Sequence, residues 1–316
     1  MKRILLTGAS GFVGAEFAKV ADEKDFMVRG AVRSLPEAIS VFSELVAVGN
    51  ISFDTNWQVE LDSIDVVIHL AARVHVMQDT ANSPLSEFRS INTRATLNLA
   101  KQASESGVKR FVYLSSIKVN GESTSAGVQF TTEDVFVPSD PYALSKYEAE
   151  QALLALAKET GMEVVIIRPP LIYGEGVKAN FASLMKLAGK GLPLPFRGIK
   201  YNRRSLVSVY NLVDLIKVCI DHPCAANQIF LVSDDNDLST SQMVALMAKV
   251  QGKHNFSVSI PVWCFRLLGK IFKKDAVVDR LVGSLQLDIE HTKKTLDWVP
   301  PYTVEHGFKL AAKKML

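Results

Sequence analysis

Tyr142 and Lys146 stand four residues apart in Pro141-Tyr-Ala-Leu-Ser-Lys146, a spacing that puts both side chains on one helix face, a turn apart. A phenol gives up its proton near pH ~10, and an ammonium beside it favours the phenolate. The pair therefore predicts a tyrosine drawn toward neutrality. Such a tyrosine can exchange a proton with an alcohol or carbonyl oxygen, which is what redox chemistry at an oxygen-bearing carbon needs. The spacing recurs by chance, so its meaning depends on whether the same chain can hold a group that moves electrons.

The N-terminus offers a place for such a group. Thr7-Gly8-Ala9-Ser10-Gly11-Phe12-Val13-Gly14 follows an apolar run and opens a helical pattern. Gly8 permits a tight turn, Gly11 lets the backbone approach a pyrophosphate, and Gly14 lets helix and sheet pack closely. Free amides and partial positive charge at the helix start favour phosphate there. Dinucleotide binding is the expectation. An acidic residue ~20 positions on would select NAD through its ribose hydroxyls. The chain has Val32-Arg33-Ser34 instead. An arginine fork suits a 2′-phosphate, so NADP(H) is favoured over NAD(H); an Arg33 that is solvated or stacked on adenine would accept either.

These residues need a scaffold, and the pattern supplies one. Short apolar runs at Arg3–Thr7, Val28–Val32, Leu45–Val48, Val66–Leu70, Arg110–Leu114 and Val164–Ile167 alternate with helical stretches at Phe12–Ala21, Leu85–Ser106 and Tyr142–Glu159. That alternation predicts an α/β fold, a Rossmann-type doubly wound parallel sheet. After Arg168 prolines and glycines crowd the chain. The expected division is a dinucleotide-binding domain over 1–168 and a smaller substrate-binding lobe over 169–316, with some segments returning to the sheet.

Composition excludes other classes. The chain has 316 residues, 48% hydrophobic and 22% charged, with a net charge of +3, which gives no case for nucleic acid. Cys219, Cys224 and Cys264 show no metal-ligand spacing, so no metal is expected. No apolar run reaches the ~20 residues that span a bilayer, and a strand beginning at Lys2 leaves no room for a signal peptide, so a cytoplasmic protein without membrane insertion is expected. The lysine pairs Lys273-Lys274, Lys293-Lys294 and Lys313-Lys314 fit a solvated helix face better than a membrane patch.

With these motifs in order, the chain resembles the extended short-chain dehydrogenase/reductases, the superfamily of nucleotide-sugar epimerases, dehydratases and reductases. The likeness spans nearly the whole length: the glycine loop, His69-Leu70-Ala71-Ala72, the Asn92 helix, Leu114-Ser-Ser116, Arg168-Pro169-Pro-Leu-Ile-Tyr-Gly174 and Leu296-Asp-Trp-Val-Pro300. The resemblance implies Ser116, Tyr142 and Lys146 as catalytic residues, with Ser116 and Tyr142 on the substrate oxygen and Lys146 on the nicotinamide ribose. It implies cofactor contacts from Gly8, Ser10, Gly11, Phe12, Val13, Gly14, Arg33, Leu70, Ala71, Ala72, Asn92, Tyr142, Lys146 and Pro169. Substrate contacts would come from Ser116, Lys118, Asn180 and Arg204, with Arg203 a rival to Arg204 and Leu192–Phe196 at the edge of a uracil ring. His75 is read as structural. A homodimer pairing the Leu85–Ser106 and Tyr142–Glu159 helices is usual in the family.

Within that superfamily the likeness is to the UDP-glucose 4-epimerase-like group. Ser115–Glu122 and Asn202–Val209 look most like enzymes of surface-polysaccharide biosynthesis that reduce UDP-4-keto-6-deoxy-N-acetylglucosamine to UDP-N-acetylquinovosamine. Asn120 and Leu171 depart from the epimerase pattern where the hexose would sit. The expected activity is hydride transfer between NADPH and C4 of a UDP-linked 4-keto-6-deoxy-hexosamine; the alternative is a UDP-hexose 4-epimerase with retained NAD. A reductase of non-nucleotide carbonyl compounds and a non-catalytic dinucleotide binder are further readings. Arg204 with Asn180 argues against the first, and the intact Tyr142–Lys146 pair against the second.

Overall fold

In the computed structural model, residues 1–21, 26–35, 42–74, 83–134 and 136–313 are described. His75 and Lys314 lie outside them. Seven strands form one parallel sheet in the order β3-β2-β1-β4-β5-β6-β9. These are β1 (Lys2–Thr7), β2 (Phe26–Val32), β3 (Glu44–Ala47), β4 (Val66–His69), β5 (Arg110–Leu114), β6 (Glu163–Arg168) and β9 (Gln228–Leu231). The order reverses at β1, between β2 and β4, which opens a crevice at the carboxyl ends of the strands.

Ile4-Leu5-Leu6, Val66-Val-Ile68 and Val164–Ile167 are continuous apolar runs because parallel strands are covered on both faces. Alternate side chains feed two cores. Ile4, Leu6, Ile68, Val112 and Ile167 join α1 (Phe12–Ala21) and α6 (Val209–Asp221) on one face. Leu5, Val67, Phe111, Tyr113 and Ile166 meet α3 (Thr96–Glu105) and α4 (Pro141–Thr160) on the other. Segments beyond 168 thus complete the large sheet: α6 covers one face and β9 extends it beside β6.

The expected continuous helix over 85–106 is broken into α2 (Pro84–Phe88), a π-helical turn (Arg89–Ala95) and α3. Its polar side chains explain the widening, because Asn92 and Thr93 are committed to bonds with α4. α4 is a firm 20-residue rod. Asp140 caps it by accepting from the Ala143 amide at 2.9 Å, Pro141 occupies its first turn, and Gly161 ends it at φ 76°.

A third core holds Tyr173, Phe181, Met185, Phe196, Leu206, Met247 and Phe308. Around it lie β7 (Leu171–Tyr173) paired with β8 (Leu206–Ser208), α5 (Ala179–Gly189), α7 (Thr240–Val250), α8 (Val262–Ile271), α9 (Asp275–Val282) and α11 (Val304–Ala312). α10 (Glu290–Leu296) packs beside β9.

Candidate active site

The glycine loop sits where the sheet reverses. Gly8 has φ 69°, and a Cβ there would lie 2.8 Å from the Ala71 amide nitrogen, so both conformation and space demand glycine. The Gly11 amide donates to the Gly8 carbonyl at 2.9 Å. A Cβ on Gly14 would collide with that same carbonyl, so α1 crosses the loop in contact with it. Ser10 and Gly11 are exposed at the start of α1, Phe12 is half-buried, and Val13 is core. The cradle fits a diphosphate: open amides on one side, closed packing beneath.

Below the loop a buried chain of hydrogen bonds ties β1 to β4 and α3. Thr7 Oγ1 meets His69 Nδ1 at 2.7 Å, and His69 Nε2 meets Thr96 Oγ1 at 2.9 Å. The Ala71 amide also donates to Thr7 Oγ1, at 3.3 Å, fixing the Leu70-Ala71-Ala72 segment against the loop. Burial, with the nearby Lys146 charge, holds the His69 pKa at about 3, so the imidazole is neutral. Sequence reading named His69 only as part of a segment; its position, ending a fully buried strand, was the available sign of a structural role.

Tyr142 and Lys146 occupy the first turns of α4, opposite the ends of β4 and β5. Ser116 follows β5; its hydroxyl accepts from the Lys118 amide at 3.3 Å and is near enough to the Tyr142 phenol to favour its ionised form. Lys146 donates to the Leu114 carbonyl at 2.9 Å and lies 4.5 Å from the centre of the Tyr113 ring. The expectation that Lys146 draws the Tyr142 pKa toward neutrality is corrected here. Burial pushes the phenol up to about 12, against the opposing Ser116 hydroxyl, and Asp140 adds to the rise. Burial likewise pulls Lys146 down to about 7, while Glu150 resists. Desolvation outweighs the pair's attraction because the ammonium is turned to a carbonyl and an aromatic face. Without ligand the tyrosine is thus a neutral proton donor. The lysine, with no ion pair among the described residues, is ready for hydroxyl acceptors such as those of a ribose.

Two networks hold these side chains in place. Asn92, fully buried in the π-helical turn, accepts from the Arg73 amide at 2.8 Å and donates to the Arg73 carbonyl and to Ser145 Oγ, both at 3.0 Å. Ser145 Oγ in turn donates to the Tyr142 carbonyl at 2.7 Å. One amide therefore links the loop after β4 to α4. Behind Lys146, Glu150 and Arg168 form a buried bidentate ion pair, at 3.0 and 2.6 Å. Arg168 also donates to Asn120 Oδ1 at 3.0 Å, and Asn120 Nδ2 reaches the Thr131 and Asp134 carbonyls. Glu150 escaped the sequence reading; its place one turn beyond Lys146 was the signal. Pro169 is buried, its carbonyl accepting from the Ile117 amide at 3.0 Å.

The outer residues divide. Arg204 sends its guanidinium to the Arg280 and Gly283 carbonyls at the end of α9, at 3.0 and 3.4 Å, and has no carboxylate partner among the described residues. Arg203 turns to the Lys200 and Asn202 carbonyls. Asn180 is exposed on the first turn of α5. Lys118 pairs with Glu122 at 2.7 Å and lies 3.6 Å from Asp140, in a cleft of about 350 Å³ beside Ser116. Arg33 is exposed past the end of β2. Phe196 is buried and stacks on Phe265, so that part of the Leu192–Phe196 run serves the third core.

A parallel sheet that reverses at a glycine cradle, with Tyr142, Lys146 and Ser116 at its carboxyl edge, defines a Rossmann-type fold of the dinucleotide-binding class. The chain belongs to the NAD dependent epimerase/dehydratase family, whose model matches residues 4–233. It is 54% identical to a UDP-glucose 4-epimerase of Vibrio cholerae over 317 aligned residues, covering 100% of this chain and 96% of that protein. It shares its fold with UDP-glucose 4-epimerase from Thermotoga maritima with UDP-glucose (TM-score 0.78, 22% identity, 99% and 98% of the two chains). The same holds for UDP-glucuronic acid 4-epimerase from Bacillus cereus in complex with NAD (TM-score 0.76, 18% identity, 98% and 96%).

The full-length likeness to an epimerase overturns the expected C4 ketoreductase of the UDP-N-acetylquinovosamine type. That reading rested on short runs and two departures, and the fold explains the departures otherwise. Asn120 spends its amide on Arg168 and two backbone carbonyls, and Leu171 is 47% exposed on β7.

Proposed function

We propose that the protein is a UDP-hexose 4-epimerase acting on UDP-glucose and UDP-galactose. The observation that carries this is the 54% identity to such an enzyme along the whole chain, joined to a site where Ser116, Tyr142 and Lys146 gather beside a glycine cradle. The bound dinucleotide, held by the glycine loop, Lys146 and the Leu70–Ala72 segment, supplies a hydride acceptor and donor for C4. Tyr142 must first ionise, which the positive charge of an oxidised nicotinamide would favour; as the phenolate it takes the proton of the C4 hydroxyl as that becomes a carbonyl, and returns it afterwards. Ser116 hydrogen-bonds the same oxygen and stabilises charge as it develops. Arg204 anchors the diphosphate, Asn180 meets it from α5, and the keto-sugar turns over between the two half-reactions.

The cycle has no net redox change, so a retained cofactor suffices and NAD is the one proposed. The case for NADP rests on Arg33 alone, and an Arg33 stacked along the adenosine end accepts either cofactor. A cytoplasmic homodimer pairing the α3 and α4 faces belongs to the same proposal. The test offers UDP-glucose to the purified protein without added cofactor and follows UDP-galactose by NMR, with the bound dinucleotide released and identified. Interconversion with NAD on the protein is expected. No interconversion by protein reloaded with either NAD or NADP would overturn the reading.

A further inference from the structure

The outward face of α8 is apolar and uncovered. At 3.6 residues per turn, Trp263, Leu267, Leu268, Ile271 and Phe272 fall on one arc of about 180°. Trp263 is 65% exposed, Leu267 and Leu268 51%, Ile271 62% and Phe272 67%. The inward face is apolar as well: Phe265 stacks on Phe196, and Gly269 packs against Val278 of α9. A helix apolar on both sides belongs in an interior or at an interface, and here one side faces outward.

Charge decides what covers it. Arg266 and Lys270 border the arc along one edge, and Lys273 and Lys274 stand at its end. Over 262–282 there are five basic side chains, Arg280 included, against the acids Asp275 and Asp279. The resulting excess equals the +3 of the whole chain. A second copy seated on this face would bring those cations against their own counterparts. A protein partner needs about one hydrogen bond per 100–200 Å², and the side chains of the arc offer none beyond the Trp263 indole. Aromatic and aliphatic residues beside a row of Lys and Arg match a surface of acyl chains and anionic headgroups.

We infer that the α8–α9 hairpin is a lipid-docking surface that lays the smaller lobe on an anionic membrane. It lies on the bilayer: no helix among the described residues is long and apolar enough to cross one. The lysine pair that the sequence assigns to a solvated face becomes the headgroup contact. The far end of α9 holds Arg204 through the Arg280 and Gly283 carbonyls, so the docked surface is wired to the arginine assigned to the diphosphate. The docking itself stands apart from the catalytic reading.

The full-length protein is sedimented with phosphatidylcholine vesicles, with and without phosphatidylglycerol, at low and high salt. It should pellet with the anionic vesicles at low salt, and the emission of Trp263, the exposed one of three tryptophans, should shift to the blue. Lys270→Gln and Lys273→Gln should each lower vesicle partition about fivefold. Leu267→Ser with Ile271→Ser should leave the protein in the supernatant with an unchanged melting curve. Parent protein that stays in solution, or an apolar variant that still pellets, overturns the inference. So does a dimer that this apolar variant splits into monomers, because a second copy would then be the cover.

Discussion

Replacing Lys146 by Met should stabilise the dinucleotide-free protein at neutral pH while abolishing turnover. The ammonium is buried, and its pKa falls from 10.5 to about 7 because burial strips its hydration, with Glu150 opposing. Between those values the unfolded chain holds the proton and the folded chain does not, so stability rises with pH through that window. At ~1.4 kcal/mol per unit, the buried charge costs about 5 kcal/mol at pH below the folded value, a cost that fades as pH approaches the unfolded one. Met removes the charge at similar length. It also leaves the Leu114 carbonyl without its donor and the Tyr113 face without its cation, losses of about 1 kcal/mol each. The net gain near neutral pH is then about 2–3 kcal/mol, or roughly 3–5 °C in melting temperature for 316 residues. Urea unfolding of cofactor-stripped parent and variant measures it, with m-values checked for equality. Between about pH 7 and 9 the parent should gain about 2 kcal/mol from this group, and the variant should not. A variant less stable than the parent at pH 7, or a gap that stays constant over that range, would refute the argument that desolvation governs this site.

Four further outcomes follow from the same geometry. Tyr142→Phe should lower kcat by about 100- to 10,000-fold, with the bound dinucleotide still released from the purified protein in full amount. Gly8→Ala forces a side chain into φ 69° and against the Ala71 amide, so the variant should purify without dinucleotide, as read by chromatography of the denatured extract. Glu150→Gln leaves Arg168 buried without its counter-ion and should cost about 3–5 kcal/mol in urea unfolding. Arg204→Ala removes a charge-assisted anchor, and KM for UDP-glucose should rise about 10- to 100-fold with kcat changed far less.

The strands and the catalytic helix were legible because their signals are local. Arg110–Leu114 and Phe12–Ala21 have the bounds read from the chain, and Tyr142 and Lys146 lie on one α4 face as their spacing requires. The break at Arg89–Ala95 was not legible: it exists to aim Asn92 and Thr93 at Ser145, a partner 50-odd residues away. Nor was the substrate chemistry, because short runs such as Ser115–Glu122 carry little information about which side chains face a sugar. Asn120 shows this: it is conspicuous in the sequence and wholly engaged inside the protein.

By itself the sequence determined the glycine cradle, the parallel sheet and the shared helix face of Tyr142 and Lys146, since periodicity, backbone freedom and i,i+4 spacing act within a few residues. Only tertiary structure decided the electrostatics. Whether Tyr142 is acidic or reluctant, and whether Lys146 keeps its proton, depends on how much water burial removes and on which distant carbonyls and charges face each group. The uncovered face of α8 is likewise a fact of packing, since only the placing of its neighbours leaves Trp263, Leu267, Ile271 and Phe272 exposed.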